Sequence, residues 1–435
     1  HERNCYSAQG EPIGFAVADN PHHVWFASPH CARPVANSVW ADSPVITGRR
    51  AEVNFQARQA MVWAHRLHCT VCQATPFVAA THKCYMAFLL HVFIFGFEPI
   101  MIGDKWPEPQ LNTNRRSLLR GELRDQLIAS LHKAAKFPCA IFQEPTPLYI
   151  HPLHPVVKPA DRDLPNPPVR LCTDAVPSLI NDHTLPWVVK LMDKRRIMLH
   201  LRPLCIFAKL DFQKFYWQIP VSDFFAQATG HSIPAEFRAA LLHRLQQDTP
   251  FFEDWSADQL HTAVMVGLSF GMKTGSSVAS LISSEFCAAS MALCNALSPE
   301  RLVPALQSAY IDDILAITDD SDAKFAMNDY RATRALGRIT ALRLHRDNDK
   351  DFPPLLANGR PRRTIVHDGV MFDSVKCTVS VDKQKRKRVL AMLDKALLPQ
   401  ATKGELLRLV GMLEHLEVVV RGTAILNNFI WHHLH

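Results

Sequence analysis

The run Ser308-Ala309-Tyr310-Ile311-Asp312-Asp313-Ile314-Leu315-Ala316-Ile317 limits what this chain can fold into more than any other stretch. Two adjacent carboxylates stand at the centre of an otherwise apolar segment. Strand-forming residues on both sides make the pair the tip of a tight hairpin that is buried at its base. An ionised Asp is costly to bury without a partner, and a divalent cation is the simplest compensation for two. The competing reading is a surface β-turn, in which Asp is only a good turn former.

A partner for the pair lies upstream. Cys205-Ile206-Phe207-Ala208-Lys209-Leu210-Asp211 alternates like a strand, with Ile206, Ala208 and Leu210 on one face and Asp211 at its end. Carboxylates from the ends of two strands are what a two-metal centre needs. Mg²⁺ takes hard oxygen ligands and leaves positions for water and substrate phosphate. Two ions about 3.5–4 Å apart can activate a hydroxyl and stabilise a leaving pyrophosphate in an in-line displacement. Asp211, Asp312 and Asp313 would be the catalytic and metal-binding set.

These residues belong to a wider pattern. Leu210-Asp211 with Tyr216-Trp217-Gln218-Ile219-Pro220, then Gly267-Leu268-Ser269-Phe270-Gly271-Met272-Lys273, then Tyr310-Ile311-Asp312-Asp313, follow one another in order. Together they resemble the three palm motifs of retroelement reverse transcriptases, most closely those of DIRS-like (tyrosine-recombinase) retrotransposons. The resemblance implies an α+β, right-hand polymerase fold with fingers, palm and thumb. The palm would be an antiparallel sheet backed by helices. It also implies RNA-directed DNA polymerase activity with two Mg²⁺ (or Mn²⁺) ions. Its partners would be an RNA template, a DNA primer and dNTPs, with no membrane, in an intracellular setting, cytoplasmic or nuclear.

The resemblance assigns further roles. Pro152 to Pro159 and Val169 to Asp174 look like finger segments, in which Lys158 and Arg170 would hold the triphosphate. Arg suits phosphate because its planar fork binds bidentately; both residues also fit plain surface charges. Tyr216 would be the aromatic gate against a 2′-hydroxyl, or else a core aromatic. Phe212, Phe270, Gly271 and Lys273 would line the nucleotide, and Gln218 would help to position the same loop. Lys350 matches the lysine that ends the segment Gly337 to Lys350. His367-Asp368-Gly369-Val370-Met371-Phe372-Asp373 resembles the primer-grip hairpin, with Gly369 at its turn. Lys383 to Arg388 opens a helix with Val389, Leu390, Met392 and Leu393 on one face, and a second helix begins near Lys403. Lys385, Arg386 and Arg388 would meet primer and template there; a solvated linker or a nuclear-localisation signal fits the same run.

The expected layout is an N-terminal region of unknown role (1–110), a leader helix and fingers (111–204), a palm (205–375) and a helical thumb (376–435). The leader helix would run from Arg115 to His132. A helical-looking insert from His231 to His261, longer than the family's usual, includes Phe251-Phe252-Glu253-Asp254-Trp255, a candidate partner contact or remodelled finger loop. Ser269 stands where the family usually has Pro, Ser276-Ser277-Val278-Ala279 is divergent, and a Pro- and Arg-rich stretch (352–363) enlarges the loop before the primer grip. These departures leave room for a degenerate, catalytically weak or inactive remnant that still binds nucleic acid. An RNA-templated RNA polymerase is a further alternative, against which Tyr216 and the Tyr-Ile-Asp-Asp box speak.

Composition fits this picture. The chain has 435 residues, 48 % hydrophobic, with a net charge of +7 and a pI near 8.8. A modestly basic surface suits a phosphate backbone. The start at His1 predicts a fragment or a conceptual translation, and the end falls in or just after the thumb, before any RNase H. The apolar stretch Tyr85 to Phe97 is too short to span a bilayer and reads as a buried helix or strand. Eleven scattered cysteines fit a reducing compartment. His65, His68, Cys69, Cys72, His82 and Cys84 fall within 20 residues. Cys69 and Cys72 with His82 and Cys84 would suit one tetrahedral zinc, although the one-residue gap in the second pair is unusual for a structural site. Coincidence in a chain with 22 His is the competing reading. A zinc-dependent interaction protein is the corresponding reading from another functional class.

Overall fold

The computed structural model describes residues 92, 97, 99, 123–136, 140–142, 149–157, 164, 167–176, 178–184, 194–221, 225–226, 228–248, 252–265, 267–319, 323–340, 342–346, 350–396, 398, 400–417, 419–420 and 430. Lys158, the His/Cys set at 65–84 and nearly all of the N-terminal region lie outside them. Val92 and Phe97 are buried.

In chain order the elements are α1 (Arg124–Lys136), β1 (Ala140–Phe142), β2 (Ile150–His151), β3 (Leu153–Val157), β4 (Val169–Thr173), α2 (Ile180–His183), α3 (Lys194–Leu199), β5 (Ile206–Asp211), β6 (Gly230–Ser232), α4 (Ala235–Asp248), β7 (Thr262–Met265), α5 (Gly275–Leu297), β8 (Leu306–Tyr310), β9 (Asp313–Thr318), α6 (Ala323–Ile339), β10 (Thr364–His367), β11 (Val370–Asp373), β12 (Thr378–Val381), α7 (Lys383–Ala396) and α8 (Lys403–Leu416). The class is α+β.

The residues gather into two compact units, neither of them a single stretch of chain. The first takes His1–Val189, Lys214–Glu285 and Gly337–Arg343; the second takes Lys190–Gln213, Phe286–Leu336 and Leu344–His435.

In the first unit, β1-β7-β6-β2 form one sheet and β3-β4 an antiparallel hairpin. Helices α1 and α4 supply apolar faces from Leu127, Ile128 and Leu131, and from Phe237, Leu241 and Leu245. Polar ties join the two helices: Arg124 donates to the Glu236 carbonyl (2.9 Å), and His132 Nε2 lies 2.6 Å from Asp248. Helix α1 runs on past His132 to Lys136. The 231–261 stretch is only partly helical. It contributes β6 to the sheet and buries Phe252 (1 % exposed) edge-on to Trp255, so the Phe252 ring is core and not a partner contact.

In the second unit, β9 is the central strand of the sheet β5-β9-β8 and is buried on both faces beyond its first residue. This is why Ile314 to Thr318 reads as a near-continuous apolar run rather than an alternating one. The sheet β10-β11-β12 packs onto it through Phe207, Leu315, Ile317, Ile365, Val370 and Phe372. The 352–363 stretch is no loose loop. Phe352 and Lys209 exchange backbone hydrogen bonds (2.8 and 2.9 Å), and Arg362 O accepts from Phe207 N (3.0 Å). The stretch thus covers the open edge of β5, which would otherwise present unpaired strand groups.

Helices α7 and α8 pack through Val389, Leu409, Leu413 and Leu416. Leu390, expected on that face, is 51 % exposed. Thr402 starts α8 with a capping box: its hydroxyl accepts from Glu405 N (3.2 Å) and its own N–H donates to the Glu405 carboxylate (2.9 Å). Helix α5 is the one described helix long and apolar enough to cross a membrane, a property that no motif in the sequence signalled; most of it is buried inside the protein.

Candidate active site

Strand pairing in the second unit brings the three predicted carboxylates together. Asp211, the last residue of β5, is the cross-strand partner of Asp313, the first residue of β9, and Tyr310 pairs with Asp313 across β8-β9. Ile311 and Asp312 alone close that hairpin. The Phe212 N–H donates to the Asp312 carbonyl (3.0 Å), fastening the turn to the end of β5. Ile311 sits at φ +54°, a conformation that β-branched residues rarely adopt. Strain of this kind persists where the surroundings over-determine it.

The charge balance is close. The Asp211 side chain is 14 % exposed and that of Asp313 22 %. Burial, then the neighbouring Asp312 and Asp313, push the Asp211 carboxyl up to about 7, against the pull of Lys350 and Lys209. Lys209 Nζ lies 2.9 Å from Asp313, and Lys350 Nζ 3.9 Å from Asp211. Lys350 Nζ also hydrogen-bonds His345 Nε2 (3.1 Å), which is itself 4.0 Å from Asp211. Neither Lys209 nor His345 was a sequence candidate. Lys209 had a signal: period-two alternation puts it on the same face as Asp211. His345 reaches the site through a fold-dependent bond from its N–H to Asp211 O (2.8 Å), which no local pattern reports.

The segment bearing His345 and Lys350 is itself held. Arg334 Nη1 is bonded to the Asp351 carboxylate and donates to the His345 carbonyl (3.2 Å), while the Tyr330 hydroxyl donates to Asp351 (2.7 Å). Among the described residues, no group of three His, Cys, Asp or Glu side chains is arranged as a ready-made metal cage. The donors at the hairpin are carboxylate oxygens, the type that hard divalent cations take, and Mg²⁺ needs only one or two of them beside phosphate and water. The raised Asp211 carboxyl, with two like charges beside it, fits such an ion.

The first unit carries the other candidates. Tyr216 lies in a 3₁₀ turn, Phe215–Gln218, and stacks on Phe270 (centroids 4.5 Å apart, 29° between planes). The Arg170 guanidinium lies over Phe270 at 5.6 Å. Gly271 has φ +101°, and a Cβ there would run into the Thr173 carbonyl, so only glycine fits. Gln218 clamps the backbone of Arg343 from both sides, donating to its carbonyl (3.1 Å) and accepting from its N–H (2.6 Å). Two candidates differ from expectation. Lys273 Nζ donates to the carbonyls of Asn181 and Thr184 (3.2 Å each), so its first role is to tie its loop to α2. Phe212, in the second unit, is 1 % exposed and packs edge-on to Phe286, so it is a core residue rather than a nucleotide contact.

At the β10-β11 hairpin, Asp368 and Gly369 both have positive φ (50° and 71°), the Asp-Gly turn that suits tight hairpins. Lys385 folds over it: its Nζ donates to the Asp368 carbonyl (3.2 Å) and its stem fills the space a Gly369 side chain would need. Arg386 and Arg388 are exposed.

No family model and no curated protein matches the chain. Among solved structures, it is similar to the foamy viral protease-reverse transcriptase dRH in complex with double-stranded DNA (12 % identity, TM-score 0.49, covering 86 % of this chain and 55 % of that one). It is also similar to the foamy viral protease-reverse transcriptase with double-stranded DNA (13 %, 0.45, 73 % and 52 %) and with an RNA/DNA hybrid (13 %, 0.45, 74 % and 34 %). The chain spans about half the length of the first two, and the likeness is distant.

Proposed function

We propose that this chain is an RNA-directed DNA polymerase of a retrotransposon, of the DIRS-like kind its motifs resemble, extending a primer by nucleotidyl transfer. The observation that carries the reading is the cross-strand pair Asp211–Asp313 with Asp312 in the adjoining turn, buried enough to hold Asp211 near 7. Asp211, Asp312 and Asp313 would hold two Mg²⁺ or Mn²⁺ ions. When bound, such ions ease deprotonation of the primer 3′-hydroxyl and neutralise the departing pyrophosphate.

The chain's own residues do the positioning. Held near 7, the Asp211 carboxyl would give up its proton readily to a cation around neutral pH. Lys350, held by His345, presents an ammonium beside Asp211 for a phosphate oxygen. Arg170 and Lys158 would take the triphosphate, with Lys273 in a lesser part. Tyr216 and Phe270 form one aromatic wall, and Gly271, closed against the Thr173 carbonyl, would present its loop to the nucleotide. Gly369, Lys385, Arg386 and Arg388 would track the primer–template duplex. The linear layout of fingers, palm and thumb, an intracellular location and independence of membranes belong to the same reading.

A second reading is favoured by the Lys209–Asp313 ion pair and the lack of a preformed cage among the described residues. It is a remnant that binds nucleic acid but does not extend it. Primer extension on an RNA template with Mg²⁺ or Mn²⁺ and dNTPs separates the two. Extension that disappears in Asp312→Asn and Asp313→Asn is the expected result. Salt-dependent template–primer binding without extension would establish the remnant instead.

A further inference from the structure

Beneath the Tyr216–Phe270 stack lies a chain of buried polar groups that the motifs do not explain. Ser269, Thr173 and His231 are 2 %, 2 % and 0 % exposed. Thr173 Oγ1 bonds Ser269 Oγ on one side and His231 Nε2 (3.2 Å) on the other; His231 Nδ1 reaches the His151 carbonyl (3.3 Å). Burial holds the His231 imidazole down to about 3, so the ring is neutral at working pH. A neutral ring has one donor and one acceptor nitrogen. The His151 carbonyl can only accept, so Nδ1 donates to it and Nε2 accepts from Thr173. Thr173 has then used its hydroxyl proton and must accept from Ser269. The polarity is fixed throughout: Ser269 to Thr173 to His231 to the His151 carbonyl.

The same residues grip the loop that carries Phe270. The Thr173 N–H donates to the Phe270 carbonyl (2.7 Å), and the Thr173 carbonyl is what excludes a side chain from Gly271. Tyr216 also meets the start of α5: a Cβ on Gly275 would lie 3.3 Å from the Tyr216 ring. Tyr216 is therefore in contact with both Phe270 and Gly275, and the place of Phe270 depends on Thr173 and Ser269. Two members stand where the chain departs from the polymerase pattern: Ser269 replaces the usual Pro, and His231 opens the 231–261 stretch.

We infer that Ser269, Thr173 and His231 form a positioning relay that holds the Phe270–Tyr216 wall and so sets discrimination between deoxy- and ribonucleotides. The inference rests on the polymerase reading. A gate excludes a 2′-hydroxyl only if its ring cannot yield, and a buried, fully satisfied hydrogen-bond chain supplies that stiffness. Removing one hydroxyl leaves its neighbours unsatisfied and lets the loop shift.

The test is steady-state primer extension with dNTPs and with rNTPs, using the full chain, Thr173→Val, Ser269→Ala and the conservative Thr173→Ser. Thermal melts identify the folded variants. The ratio of kcat/KM for dNTP over rNTP should fall about tenfold in Thr173→Val and Ser269→Ala. The dNTP change should lie mainly in KM, and Thr173→Ser should recover the ratio. If Thr173→Val does not fold, Ser269→Ala and Thr173→Ser decide. An unchanged ratio in folded variants overturns the inference while leaving the polymerase reading in place, and so does an equal loss of kcat on both nucleotides. A wild-type chain that extends nothing overturns both.

Discussion

Asp211 holds a proton several pH units beyond the ordinary carboxylate range because its surroundings offer little water and two like charges. Its usual value is 3.8 and its folded value about 7, so the folded state binds the proton more tightly than the unfolded chain. Stability is undiminished below the lower value, declines as pH rises through the interval, and is lowest above 7. The loss is about 4 kcal/mol at most. Asp211→Asn removes the charge and should raise the Tm by several degrees at pH 8 in chelator while changing it little at pH 4. Melts that shift equally at both pH values would contradict this account. At this scale strand periodicity with side-chain identity was enough to single out the three carboxylates, whereas Tyr216, Gly271 and Gly369 were singled out only by the motifs they resemble. His345, Arg334 and Asp351 could not be singled out, because their importance comes from contacts that only the folded chain creates.

Among the elements, α6 is tied into the second unit by charge as well as by apolar packing. Arg301 grips Asp329 bidentately (3.0 and 2.8 Å), with 6 % and 3 % of the side chains exposed, and Thr318 of β9 also donates to Asp329 (3.3 Å). Thr333 of α6 accepts from Gln307 of β8 (2.8 Å). Asp329→Ala should cost about 3–5 kcal/mol, because it strands a buried guanidinium. The double change Asp329→Leu, Arg301→Met should cost less than Asp329→Ala alone. Denaturant unfolding measures both, and additive losses would refute the argument. Local pattern located β5, the β8-β9 hairpin, α7 and α8 because each carries its own period and boundary residues. It caught the helix within 231–261 and the loop at 352–363, but not β6 or the backbone bonds to β5, which short segments acquire by pairing with distant strands. Helix α5 escaped notice as an apolar segment because serines at 276, 277, 280, 283 and 284 interrupt its run.

For the whole molecule, the excess of basic residues matters more than any one of them. A chain of net charge +7 that binds nucleic acid releases condensed counterions as it does so. Changing the exposed Lys383, Arg386 and Arg388 to Gln should lower the slope of log affinity against log salt by up to about 3. Filter binding of a template–primer across a salt series reads this directly, and an unchanged slope would remove α7 from the interface. Each compact unit is assembled from three separate stretches of chain. That interleaving was not legible in a linear motif order, since hydrophobic pattern marks faces but not which distant faces meet.

The two-residue turn between β8 and β9 has a consequence for how such a chain can drift. Asp313 faces Tyr310 on one side and Asp211 on the other, so a single register brings the carboxylates of two strands together. Losing or gaining a single codon near the tip would turn Asp313 to the opposite face of the sheet. Substitutions around the hairpin can accumulate without that effect. The carboxylate site is therefore more vulnerable to small insertions or deletions near the tip than to scattered replacements that keep the register.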